Sequence, residues 1–79
     1  MDRLQILIKV QEIFRKVLDD NFIELTEATT NEDIADWDSL NHIQIVVAIE
    51  KNFKISFPST EMRSWKNIGA LVDSIVAKI

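Results

Sequence analysis

Three groupings in the sequence have the residue types and spacing for chemistry, and all meet in Asp36-Trp37-Asp38-Ser39-Leu40-Asn41-His42-Ile43. The first is a hydroxyl and an imidazole. His42, the only histidine, lies three residues after Ser39, one turn apart on a helix. Nucleophilic catalysis also needs a third group to orient the base, and no G-x-S-x-G elbow is present. His42 therefore reads as a partly exposed helix histidine and not as a base. The second grouping is Asn31, Asp33, Asp36 and Asp38, whose oxygens could hold calcium. An EF-hand loop needs oxygen ligands at positions 1, 3 and 5, glycine at 6 and glutamate at 12. Counted from Asn31, those last three places hold Ala35, Asp36 and His42, so the pattern fails and no metal is expected. The third is Ser39 itself, flanked by Asp38 and Leu40. Serine is an ordinary residue at a helix start, and Asp-Ser-Leu alone identifies nothing. Its setting is more informative: it follows an acidic loop and opens the most apolar helix.

The rest of the chain must position that serine. Its 79 residues make one domain, residues 1–79, near the lower size limit for a core without staples. There is no cysteine, so the core rests on apolar burial, for which 47% apolar composition suffices. One glycine and one proline favour helices over tightly turned strands. The net charge of -4 argues against a nucleic-acid binder, which needs a basic face. No apolar run is long enough to span a membrane, and the amphipathic helices lack a strongly basic polar face, so no stable membrane insertion is expected. Met1-Asp2-Arg3-Leu4 reads as a helix start and not a signal peptide, and a cytoplasmic location and a monomeric state are the expectations. Between Lys16 and Lys51 there is no Lys or Arg, and residues 19–38 hold eight of the thirteen acids. Such a stretch is a solvated loop, and it also forms a negative field able to steer a basic partner toward Ser39.

Apolar periodicity divides the chain. Ile6, Val10, Ile13, Phe14 and Val17 mark a helix over residues 3–18, with Asp2 as N-cap and Gln5 three residues on. Residues 19–38 form a long connection pinned by Phe22, Ile23, Leu25, Ile34 and Trp37, with room for a helical turn at Glu32 to Ala35. A loop this long in a small domain is usually functional. Residues 39–53 form the strongest helix, capped by Asp38 or Asp36. Its apolar arc through Leu40, Ile43, Ile45, Val46, Val47, Ile49 and Phe53 calls for burial on several sides. Residues 54–66 hold a short helix after Pro58, with Ser59 as its cap. Asn67 caps a last helix over 67–79, whose stripe runs Ile68, Leu71, Val72, Ile75, Val76 and Ile79. The expected fold is all-α: an antiparallel four-helix bundle, three helices long and one short, with a long loop between the first two long helices.

Over nearly its whole length the chain resembles the acyl carrier protein family and the related peptidyl carrier domains. The resemblance rests on Asp38-Ser39-Leu40 followed by Ile43, then Ala48-Ile49-Glu50 and Phe53, with Phe57-Pro58 and Ile68 at ungapped spacing. It implies 4'-phosphopantetheine joined to Ser39 through a phosphodiester, with Asp38 and Leu40 as motif flanks. The donor would be coenzyme A and the installing enzyme a phosphopantetheinyl transferase. Acyl intermediates would ride on the arm's thiol as thioesters and be presented to acyl-transferring or condensing enzymes, with no catalysis by the chain itself. A helix N-terminus suits the phosphate, and a loop–helix junction suits access by another enzyme. The resemblance further implies a sheltered space for cargo near Leu40, Ile43, Val46, Val47, Ile55, Phe57 and Met62.

The sequence also departs from the family. Asp36-Trp37 stands where many fatty-acid carriers have glycine and a small residue. The helix after the serine shows Asn41, Gln44 and Lys51 where acids are usual, with only Glu50 retained. These departures point to a specialised carrier for a modified lipid, a polyketide or a nonribosomal product. Two alternatives stand beside it: a peptidyl or aminoacyl carrier, and an unmodified helical interaction domain in which Ser39 is only a helix-start residue.

Overall fold

A computed structural model describes residues Met1–Ile79. Four helices follow in order: α1 (Arg3–Val17), α2 (Ser39–Phe53), α3 (Ser59–Met62) and α4 (Ile68–Val76). The start of α1 is set by a complete capping box, in which the Asp2 side chain accepts from the Gln5 amide and Gln5 Oε1 accepts from the Asp2 amide. The starts of α2 and α4 are set by Asp38 and Asn67, each accepting from the amide three residues on. Just past α1 and α2 the chain enters the left-handed region, at Asp19 and at Lys54. There the chain turns away, with Asp20 N–H donating to the Arg15 carbonyl and Ile55 N–H to that of Glu50.

The core is one cluster. Ile6, Val10, Ile13 and Phe14 of α1 meet Ile45, Val46 and Ile49 of α2 and Ile68, Leu71, Val72 and Ile75 of α4, with Ile23, Leu25, Trp37 and Phe57 added from the connections. Each large side chain buried here stabilises the fold by roughly 1.5–3 kcal/mol. In a domain this small those contributions have little in reserve behind them.

Several local expectations need correction. Ser59 does not cap α3; Pro58 occupies the cap position and Ser59 is the first helical residue. Helix α4 stops at Val76, and the stripe's last member, Ile79, is exposed. Residues 32–35 form hydrogen-bonded turns and no helix, because the Asp33 carboxylate accepts from the Thr30 amide instead. Phe22 is no anchor: it is 92% exposed, while its amide is held by the Asp20 carboxylate. Nor is α2 buried all round, since Leu40, Ile43 and Val47 lie exposed along one face.

The long first connection is tied down at many points. Gln11 accepts from the Leu25 amide, and Arg15 donates to the Ile23 carbonyl. Thr29 is buried, with its hydroxyl accepting from the Thr26 amide. At the far side, Ile68 N–H donates to the Thr29 carbonyl at 2.9 Å and Gly69 N–H to the Glu27 carbonyl at 2.8 Å. That approach explains the glycine: a Cβ at position 69 would lie 3.0 Å from the Glu27 carbonyl oxygen.

Arg3 completes the tie. Its guanidinium pairs with Glu27 on the loop and, at 2.6 Å, with Asp73 on α4. Arg3 holds the Glu27 carboxyl below the usual glutamate range, chiefly through their hydrogen bond. Ser74 and Lys78 do the same for Glu61. Both are carboxylates whose folded-state pKa is lowered, so their contribution is present above the unfolded value, about 4.3, and is lost as pH falls through the folded one. The melting temperature should therefore drop as pH is lowered below about 4.5. The Arg3→Met variant should show a smaller drop over that range in thermal melts, although exposure keeps the pair's share modest.

Candidate functional site

The residue before α2 and the first residue of the helix do different jobs. Asp38 Oδ1 accepts from the Asn41 amide at 2.8 Å, and the Asp38 carbonyl accepts from the His42 amide, also at 2.8 Å. The Asn41 side-chain amide donates back to the Asp36 carbonyl, fixing the entry of the loop. With the capping done by Asp38, the Ser39 side chain is left exposed, and its hydroxyl has no partner in the chain. The amides of Ser39 and Leu40, in the first helical turn, are likewise without partners. A hydroxyl with unpaired N–H groups beside it, at the positive end of a 15-residue helix, suits an attached phosphate.

Ser39 stands on the rim of a groove of about 580 Å³, lined by Asn31, Trp37, Asp38, Ser39, His42, Ile43, Met62, Arg63, Trp65 and Lys66. The groove runs from the end of the first loop, past the start of α2, to the end of α3 and the residues after it. Of the three residues singled out from sequence, Ser39 and Asp38 line it, while Leu40 faces outward and is 67% exposed.

The groove is held in shape by His42. Trp37 Nε1–H donates to His42 Nδ1 at 2.9 Å, and the indole nitrogen can act only as a donor. The imidazole is therefore neutral with its proton on Nε2, and that N–H donates to the Met62 carbonyl, also at 2.9 Å. One ring thus bridges the first loop, α2 and the end of α3. It cannot serve as a base toward Ser39, because its one free lone pair is already taken. Of the acids weighed for calcium, Asp33 accepts from the Thr30 amide and Asp38 from the Asn41 amide.

Aromatic rings extend the bridge. Phe14 meets Trp37 edge-on with centroids 4.9 Å apart; Trp37 lies 5.8 Å from His42 and His42 5.8 Å from Trp65. Trp65 then meets Phe57 edge-on at 5.0 Å. Trp65 is anchored by its own N–H, which donates to the Ser74 hydroxyl on α4 at 2.7 Å. The residues expected to border a sheltered space lie in different settings. Val46 and Phe57 belong to the core, Leu40, Ile43 and Val47 are exposed, and of that set only Ile43 and Met62 touch the groove. Sequence reading took Trp65 only as an apolar contact and passed over Arg63, Lys66 and the bridging role of His42. The one available signal was the pair of ring side chains, Trp37 and His42, on either side of Ser39.

Comparison with known proteins agrees with this geometry. The family model described as "Phosphopantetheine attachment site" matches residues 8–75. An acyl carrier protein homolog from Mycoplasma genitalium is 36% identical over 75 residues, covering 91% of this chain and 86% of that protein. An acyl carrier protein from Rubrobacter xylanophilus is 34% identical over 77 residues, covering 96% and 94%. The solution structure of a holo acyl carrier protein from Geobacter metallireducens superposes with a TM-score of 0.85 at 42% identity, covering 91% of this chain and 83% of that one.

The bridge makes a direct prediction. In His42→Leu the side-chain volume is nearly kept, but the Trp37 N–H and the Met62 carbonyl lose their partner. Stability in urea should fall by roughly 2–3 kcal/mol. Tryptophan emission of the folded variant should shift to the red as the indoles loosen into water. An unchanged midpoint and spectrum would remove His42 from its structural role.

Proposed function

The chain belongs to the phosphopantetheine attachment-site family, and we propose that Ser39 is the residue that receives the group. The chain is a carrier of acyl intermediates, not an enzyme. The observation that carries the assignment of Ser39 is its free, exposed hydroxyl at the first turn of α2, with Asp38 and not the serine serving as cap. When bound, the group supplies a thiol on a flexible arm, to which acyl groups attach as thioesters.

What this chain's own atoms contribute is access and charge placement. In the transfer, the Ser39 oxygen forms a bond to the pantetheine-side phosphorus of coenzyme A as the pyrophosphate bond breaks. Adenosine bisphosphate leaves, and the hydroxyl proton goes to a base on the phosphopantetheinyl transferase, since His42 is already engaged. The unpaired amides of Ser39 and Leu40 would hold the phosphate of the attached group. Arg63 and Lys66, neither of which is in an ion pair within the chain, provide positive charge across the groove.

Partner enzymes meet a mixed surface: the exposed Leu40, Ile43 and Val47 of α2 beside an acidic approach at Asp36 and Asp38. Asn41, Gln44 and Lys51 on α2 supply no negative charge, so a transferase or acyl-handling enzyme with a basic patch is steered by the loop and not by the helix. This arrangement fits enzymes dedicated to this carrier better than those of ordinary fatty-acid elongation.

Two measurements test the reading. Incubation of the apo protein with coenzyme A and a broad-specificity phosphopantetheinyl transferase should add one phosphopantetheine to the intact mass. Ser39→Ala should gain nothing while keeping its helical circular dichroism, with a stability change within about 0.5 kcal/mol because the cap is elsewhere. A mass gain in Ser39→Ala would disprove the assignment. Separately, Asp36→Lys should slow modification at low salt, and the difference from wild type should shrink as salt is added. Equal rates for the two proteins at every ionic strength would show that the loop does no steering.

A further inference from the structure

We propose that the cargo of this carrier is a short acyl group that stays outside the helical body, and that the Trp37–His42–Trp65 lattice is what excludes a long chain. The inference rests on Ser39 as the attachment point and names the class of cargo that point serves.

The argument begins with what the groove touches. Of the fifteen buried core residues only Trp37 reaches its wall; Val46, Ile49 and Leu71, the aliphatic side chains a long chain would have to lie among, do not. The groove's wall includes the ring lattice, with Trp37 packed on the core residue Phe14 and Trp65 on Phe57. It is fixed by directed bonds as well as by packing: Trp37 to His42, His42 to the Met62 carbonyl, and Trp65 to the Ser74 hydroxyl. Entry of an alkyl chain would have to part rings whose centroids are 5.8 Å from their neighbours. It would also leave an indole N–H, a backbone carbonyl or a serine hydroxyl without its partner in a partly buried place, a cost that an apolar chain cannot offset by bonding to them.

The groove itself is a poor host for a long chain. Only four of its ten lining residues are hydrophobic, and three of the others, Asp38, Arg63 and Lys66, are charged. A few carbons can rest on Ile43 and Met62; a longer tail would run into charge or out into water. The groove thus suits a small acyl group near the arm's polar portion.

The test loads the full-length protein with acetyl-, butyryl-, octanoyl- and palmitoyl-pantetheine from the corresponding coenzyme A thioesters, with each product verified by intact mass. Each methylene buried in a core would raise the melting temperature of so small a domain by roughly 3–6 °C. We expect acetyl and octanoyl forms to melt within about 2 °C of each other, with amide shifts confined to the groove and absent at Val46, Ile49 and Leu71. An octanoyl form melting more than about 10 °C above the acetyl form, with shifts at those three residues, would overturn the cargo inference and leave the attachment at Ser39 intact. Failure of every thioester to add mass would refute the attachment and the inference with it. Trp65→Ala, checked first for helical circular dichroism, should gain the length dependence that wild type lacks. A flat response in that folded variant would overturn the role given to the ring.

Discussion

The imidazole of His42 accepts one hydrogen bond and donates another, and its two partners come from segments that share no helix. Trp37 belongs to the end of the first loop and Met62 to the short α3. Because an indole only donates, the proton's position on the imidazole follows from the geometry, and so does the neutrality of the ring. Much near the serine depends on this. The loop arrives at α2 with Trp37 buried, Asp38 is then in place to cap, and Ser39 is left outward. The same bridge holds the end of α3, and with it Arg63 and Lys66, across the groove from the serine.

A good deal of this was legible in the residues, and what was not has a common cause. The caps at Asp2, Asp38 and Asn67 are local: donor and acceptor lie three residues apart, so the sequence displays both. The buried faces of α1 and α4 follow from spacing alone, up to the point where α4 ends and Ile79 is left in solvent. The apolar arc of α2 was misleading. Periodicity tells which side chains can be buried together, but not whether enough neighbours exist to cover them. With α3 only four residues long, Leu40, Ile43 and Val47 remain uncovered. The His42 bridge was invisible for another reason. One partner is twenty residues away and is a backbone carbonyl, which every residue possesses and no sequence pattern marks.

Charge is arranged in two regions around the serine. Acids crowd the loop that leads to it, while Arg63 and Lys66 stand on the opposite side of the groove, and neither region is neutralised by the other within the chain. The acidic side is placed to act on approach, over distances of about a Debye length. The basic side is placed to meet an anion at the serine, as the proposed attachment at Ser39 requires. The exposed Leu40, Ile43 and Val47 of α2 add an apolar stripe without a charge of its own. Acidic, basic and apolar surface thus fall to three different segments of a very small chain.

The tie between the first loop and the last helix carries a consequence for how such a protein is made. Glu27 and Thr29 hang from the amides of Gly69 and Ile68, and Arg3 joins Asp73 across seventy positions. A nascent chain that has released α2 from the ribosome but still holds α4 in the exit tunnel has Ser39 in hand without the frame that shapes its surroundings. A chain without α4 would lack the ties that Ile68, Gly69 and Asp73 make to the first loop and to Arg3.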